Sequence, residues 1–213
     1  MSPTFFLSRR VVQLVVGLFA YGIAISLMVQ AGVGVAPWDV LTQGISKQTG
    51  LDFGLLTNII GLGVLLCWIP IRQRPGIGTV ANVLLIGPSA QLGLWIFPKQ
   101  HLLGYQILFY VIGLVLLAVA TGLYIGARMG PGPRDGLMTG IHARTGWKLW
   151  IVRTGIELTV LLIGWALGGN FGPGTIVFAL AIGPMVGFTI PWLRVPVAVV
   201  TPPVSSTEEV TTP

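Results

Sequence analysis

The sequence predicts an all-α polytopic membrane protein of six transmembrane helices, arranged as two inverted three-helix repeats. Three observations predict it. The 213 residues are 54% hydrophobic and only 8% charged, whereas a soluble domain carries roughly 25% charged residues. Six apolar stretches are long enough for the about 20 residues that a hydrocarbon core of about 30 Å demands. The chain also repeats itself: GVGVAPWDVLTQGISKQTG at Gly32 returns 96 residues later in GPGPRDGLMTGIHARTG at Gly130.

In this register Gly34, Pro37, Asp39, Leu41, Gly44 and Gly50 match Gly130, Pro133, Asp135, Leu137, Gly140 and Gly146. It continues without a gap, so that Gly76, Gly78 and Thr79 match Gly172, Gly174 and Thr175, and Ile86-Gly87-Pro88 matches Ile182-Gly183-Pro184. Self-similarity at a fixed period marks a duplicated structural unit. Repeat 1 covers about residues 11–97 and repeat 2 about 103–193, within one transmembrane domain, residues 1–194.

In chain order the expected spans are roughly 11–30, 53–71, 77–97, 103–126, 149–168 and 175–193. The first run, about 20 residues, exceeds the about 7–15 apolar residues of a signal peptide and reads as a retained span. After the first and fourth spans come the Gly/Pro-Asp segments, GVGVAPWD and GPGPRD, which are poor helix because Gly is entropically unfavourable and Pro removes a donor. The stretches after each aspartate read as half-helices ended by glycine. Trp38, Trp147 and Trp150 favour the membrane interface. Gly87-Pro88 and Gly183-Pro184 fall near mid-span and are expected to break or kink their helices. With Gly34, Pro37, Gly130 and Pro133 they form the candidate helix-break or gate positions. Residues 195–213, rich in Pro, Ser, Thr and Glu, read as a disordered tail.

Charge placement orients the spans. With the N-terminus cytoplasmic, the inside segments hold nine Lys/Arg (Arg9, Arg10, Arg72, Arg74, Arg128, Arg134, Arg144, Lys148 and Arg194) against Lys47 and Lys99 outside. This positive-inside bias favours six spans with both termini cytoplasmic. A five-span count would leave the repeats unequal. Three spans per repeat make the second copy enter from the opposite side, the arrangement of many secondary transporters.

Asp39 and Asp135 have two readings. A carboxylate at a helix N-terminus is favoured by the dipole and by free N–H groups, so both fit caps. Alternatively they line a polar cavity and bind a cation, proton or amine. Arg153 and Glu157, four apart in the fifth span, share a helix face. An intramembrane charge costs at least about 2.5–3.5 kcal/mol, so they are expected to face the bundle interior as a self-neutralising pair or a functional one. Their matched positions are Thr57 and Gly61, so this feature belongs to one half only. Asn58, Asn82 and Gln91 are polar groups within spans, suited to interhelical bonds or to a ligand. Arg134 is suited to holding an anionic group. His142 reads as a surface residue, and Cys67, within an apolar run, as a small buried hydrophobe.

The motifs exclude much. There is no metal-ligand spacing, GxSxG, HExxH, P-loop or strand-borne dinucleotide fingerprint, so no metal site, catalytic residue, cofactor or enzymatic activity is expected. The basic residues lie in short loops, which excludes nucleic acid as a partner.

The G-x-G-x-x-P-W-D pattern, the GPGPRDGLMTG string and the later G-x-G-T blocks resemble the YczE-like bacterial integral membrane proteins of the YczE/YyaS/YitT group, over about residues 10–193. The resemblance implies a multi-pass protein of the bacterial inner membrane and supplies no site residues. The leading expectation is a small-molecule or ion-coupled transporter working by alternating access, with the bilayer and an unknown small-molecule substrate as partners. The alternative is a non-transporting accessory or assembly partner. Small inverted-repeat proteins often pair, which leaves a homodimer open.

Overall fold

The computed structural model describes residues 3–195, and among them all regular structure is helical. The helices are α1 (Pro3–Ala31), α2 (Pro37–Thr49), α3 (Phe53–Leu66), α4 (Trp68–Ile71), α5 (Ile77–Ile96), α6 (Leu103–Gly126), α7 (Pro133–Thr145), α8 (Leu149–Ala166) and α9 (Pro173–Leu193). Six segments among the described residues are long and apolar enough to span a membrane: Leu7–Ala31, Phe53–Ile71, Ile77–Ile96, Leu103–Gly126, Leu149–Ala166 and Pro173–Leu193. They fall where the sequence put them. Large apolar side chains such as Leu62, Ile69, Trp95, Leu180 and Trp192 are exposed, as expected of a surface solvated by lipid rather than water.

Local chemistry sets the element ends. α2 and α7 each begin with Pro in the first turn and end at a left-handed glycine, Gly50 at φ 72° and Gly146 at φ 70°. Proline suits a first turn because its missing N–H would have no intrahelical partner. Pro37-Trp38-Asp39 and Pro133-Arg134-Asp135 are therefore helical, and the irregular backbone is confined to the residues before them. The second span divides at Cys67 into α3 and α4, where Pro70 cannot serve the carbonyl of Leu66.

Packing follows the duplication register. α1 and α6, which are equivalent, run antiparallel through small-residue contacts. A Cβ on Gly17 would lie 2.8 Å from the Tyr124 nitrogen, and one on the matched Gly113 would lie 3.0 Å from the Ala24 carbonyl. At the N-terminal end of α1, Arg10 Nε donates to the Ala127 carbonyl (2.7 Å) and Gln13 Nε2 to that of Leu123 (3.0 Å). α1 also packs on α5, and α6 on α9. Where Ser26 of α1 meets Gly93 of α5, the matched pair reverses the sizes, with Gly122 of α6 against Thr189 of α9.

The short helices cross between repeats. α2 packs on α8, and α7 on α3 and α4. Gly164 of α8 lies under Leu41, and the indole of the matched Trp68 covers Gly136 and donates from Nε1 to the Pro133 carbonyl (3.0 Å). The loops exchange equivalent bonds as well: Gly78 N–H donates to Met129 O and Gly174 N–H to Val33 O, both at 2.8 Å.

Several expectations are corrected. Of the expected break or kink at Pro88 and Pro184, the break does not occur: α5 and α9 continue through both, because one lost bond is tolerated where the rest of the ladder persists. Gly87 serves instead as a close crossing point, against Gly54 and Asn58 of α3. Trp38 does not present its ring to lipid: it is 7% exposed, held inside by the packing of α2 on α8. Cys67 is exposed rather than buried, because it borders an open groove shared with residues of α7 and α8. Val195 is buried, and its N–H donates to the Gly126 carbonyl at 3.1 Å, so the last span is anchored there. The rest of the expected tail lies outside the described residues.

Gly34 and Gly130 sit at φ 116° and 124°, and a Cβ on them would lie 2.8 and 2.9 Å from Thr175 Oγ1 and Thr79 Oγ1. Alanine at either position is expected to lower stability by about 1–3 kcal/mol from backbone strain, with the steric clash adding to it. Gly50→Ala, where nothing lies within 4 Å, should cost only the left-handed penalty of about 1–2 kcal/mol. Thermal unfolding in detergent compares the three; equal losses would refute the docking role of Gly34 and Gly130.

Candidate functional site: a polar cavity between the repeats

The N-termini of α2 and α7 meet. Arg134 lies over the Trp38 ring at 5.0 Å from its centroid, and these two residues occupy the same position in their repeats. Arg134 Nη2 is 3.9 Å from Asp39 Oδ1. The aspartates sit in the first helical turn, where the dipole favours a carboxylate, but neither helix has a side-chain cap bond. Asp39 is 3% exposed and its Oδ1 has no hydrogen-bond partner, whereas Asp135 Oδ2 accepts a 2.8 Å bond from the Tyr124 hydroxyl. The matched carboxylates thus have different surroundings, because position 124 is Tyr and its counterpart is Met28.

Two cavities adjoin this junction, and both are bordered by Tyr21, Tyr124, Arg134 and Asp135. The larger, about 260 Å³, is also lined by Trp38, Arg153, Glu157, Phe178 and Ile182. The smaller, about 60 Å³, is lined by Thr57, Gly61, Asn82, Ile86 and Pro133. These are matched linings: Arg153, Glu157, Phe178, Ile182 and Pro37 of the first answer Thr57, Gly61, Asn82, Ile86 and Pro133 of the second. The two cavities thus occupy equivalent positions in the two repeats and share four bordering residues. Only the larger carries the Arg153–Glu157 pair, joined at 2.9 Å; the pair is not shut into the bundle interior as expected, since the Arg153 side chain is 48% exposed and that of Glu157 24%.

Asp135, Arg134, Arg153, Glu157 and Asn82 are therefore brought together around one space, with Asp39 buried behind Arg134. Asn58 is not among them. It lies at the α3–α5 crossing near Gln91, and its Oδ1 is buried without a hydrogen-bond partner. Gly183 borders the larger half. Tyr21 and Tyr124 were missed by the sequence reading, although a hydroxyl within an apolar span is itself a signal that a polar partner is nearby. Their rings meet edge to face at 5.9 Å. The other wall of Trp38 borders a separate apolar groove of about 550 Å³ beside Ile60, Val64, Cys67, Leu137 and Ile156.

Six apolar spans, with charged side chains gathered around a cavity between them, define a polytopic helical membrane protein. The chain belongs to DUF6198, a family of unknown function that matches residues 8–191. It is 39% identical over 175 residues to an uncharacterized protein of Haemophilus influenzae, covering 82% of this chain and 80% of that one. It is 35% identical to the uncharacterized membrane protein YczE of Bacillus subtilis, covering 82% and 81%, and 26% identical to YyaS of the same organism, covering 76% and 83%. The resemblance read from the Gly/Pro-Asp motifs therefore holds. No solved structure matches.

Asp39 lies outside the six spans, and burial pushes its carboxyl up to about 6 against the opposing pull of Arg134. The folded state then takes up this proton at a higher pH than the unfolded chain does. The resulting stabilisation is complete below the ordinary carboxylate range and is lost as pH rises through about 6. Unfolding temperature in detergent is expected to be about 2–4 °C higher at pH 5 than at pH 7.5. Asp39→Asn should remove that difference; its persistence in the variant would assign it to another group.

Proposed function

We propose that this protein is a small-molecule or ion-coupled carrier of the bacterial inner membrane, working by alternating access between two inverted repeats with both termini cytoplasmic. The observation that carries the reading is the pair of matched half-cavities meeting at Tyr21, Tyr124, Arg134 and Asp135, one about 260 Å³ and the other about 60 Å³. The antiparallel packing of the equivalent helices α1 and α6 supports an inverted relation. If the repeats exchange conformations, the larger half narrows while the smaller widens. A ligand held at the shared residues then changes the side it faces. Such exchange needs no new fold, because each repeat already adopts what the other must become.

Asp135 would hold the ligand or a coupled proton, and Asn82 and Phe178 would line the two entrances. Arg153 with Glu157 would make the halves inequivalent, which gives the cycle a polarity.

Single cysteines at Asn82 and Phe178, in a Cys67→Ala background, test the mechanism. With an impermeant maleimide applied to right-side-out and inverted vesicles, each is expected to react from a different face. Reaction of both from the same face would exclude inverted half-sites. In proteoliposomes, Asp135→Asn and Glu157→Gln are expected to lower flux by about tenfold or more while the protein still inserts. Unchanged flux in both would remove the site assignment. The accessory reading instead predicts no flux and a protein partner that co-purifies stoichiometrically.

A further inference from the structure

The charges at the central site do not balance. Three carboxylates, Asp39, Asp135 and Glu157, face two guanidinium groups. Arg134 stands beside Asp39 at 3.9 Å, and Arg153 is bonded to Glu157 at 2.9 Å. Among the described residues no Lys or Arg pairs with Asp135, whose side chain has the Tyr124 hydroxyl as its hydrogen-bond partner. Asp135, partly buried beside the cavity, has the dipole of α7 in its favour but no full positive charge paired with it.

The walls narrow the identity of that charge. A volume of about 260 Å³ holds about nine waters, or a ligand of comparable heavy-atom count. Part of its lining is apolar (Leu117, Phe178, Ile182 and Val186), and among the described residues no three His, Cys, Asp or Glu side chains group as a metal site does. The Arg134 guanidinium lies over the Trp38 ring at 5.0 Å, so positive charge is already accommodated against this wall of the cavity. Each guanidinium already has a carboxylate near it, at 3.9 and 2.9 Å, which reduces the positive charge either could offer an anion.

We infer that the ligand of this cavity is a monovalent organic cation, an amine or quaternary ammonium. Its positive centre is seated at Asp135 and Tyr124, and its apolar body lies against Trp38, Phe178 and Ile182. This rests on the carrier reading and names its substrate class. Asp39 is not the seat, because Arg134 already serves it and it lies behind that side chain.

The test uses the purified full chain in lipid nanodiscs. The probes are benzyltrimethylammonium, the anion benzenesulfonate and neutral benzyl alcohol, read by thermal unfolding and by calorimetric titration. Benzyltrimethylammonium alone is expected to stabilise the wild-type protein. Asp135→Asn should weaken its binding by about tenfold or more, and Asp135→Glu, which keeps the charge, should restore much of it. Stabilisation by benzenesulfonate instead, by none of the three, or undiminished cation binding to Asp135→Asn would each overturn the assignment. Charge selectivity is read on the unmodified protein, so the test survives a variant that fails to fold. Cation binding without uptake into proteoliposomes would keep the site and remove the carrier reading. Benzenesulfonate uptake without cation binding would do the reverse.

Discussion

The structure depends on one reciprocal contact: the loop of each repeat lies against the first turn of the other repeat's last span. At Gly34 and Gly130 the backbone takes a conformation that L side chains rarely adopt, and the opposing threonine, Thr175 or Thr79, is too close to admit a Cβ. Gly76 N–H donates to Thr79 Oγ1 at 3.1 Å, and Thr79 Oγ1 donates to the Pro131 carbonyl at 2.8 Å. These bonds satisfy irregular backbone that lipid could not satisfy. They also fix where α2 and α7 begin, and so bring Trp38, Asp39, Arg134 and Asp135 to one place.

On this symmetric frame the side chains are unequal. Equivalent positions carry Trp38 and Arg134, Thr57 and Arg153, Gly61 and Glu157, Met28 and Tyr124. The backbone therefore presents two similar half-sites, while charge collects in one. Charged groups are expensive within a bilayer, and here each guanidinium has a carboxylate near it while Asp135 keeps only a hydroxyl. The asymmetry is what separates a scaffold from a site.

The Gly/Pro punctuation is similarly divided between roles. Pro37 and Pro133 start helices, while Pro88 and Pro184 pass through them without a break. The same residue type gives opposite outcomes because a first turn has no bond to lose, whereas an interior turn loses one and keeps its neighbours. Gly87, beside Pro88, is explained by its close crossing with Gly54 and Asn58 of α3.

Hydropathy and the 96-residue register were sufficient for the spans, the duplication and the glycine ends of α2 and α7, because each follows from local chemistry: apolar length, a missing N–H, a left-handed backbone. The pairing of Arg153 with Glu157 was legible for the same reason, since i and i+4 share a helix face. What the chain alone did not decide was partnership across the repeats. That α2 packs on α8 and α7 on α3, that Trp38 turns inward under Arg134, that Cys67 faces outward, and that Tyr124 reaches Asp135 all depend on contacts between distant segments. Asn58 and Asn82 are alike in sequence context, yet only Asn82 borders the cavity. Local periodicity says which face is apolar; only tertiary packing says which neighbour that face meets.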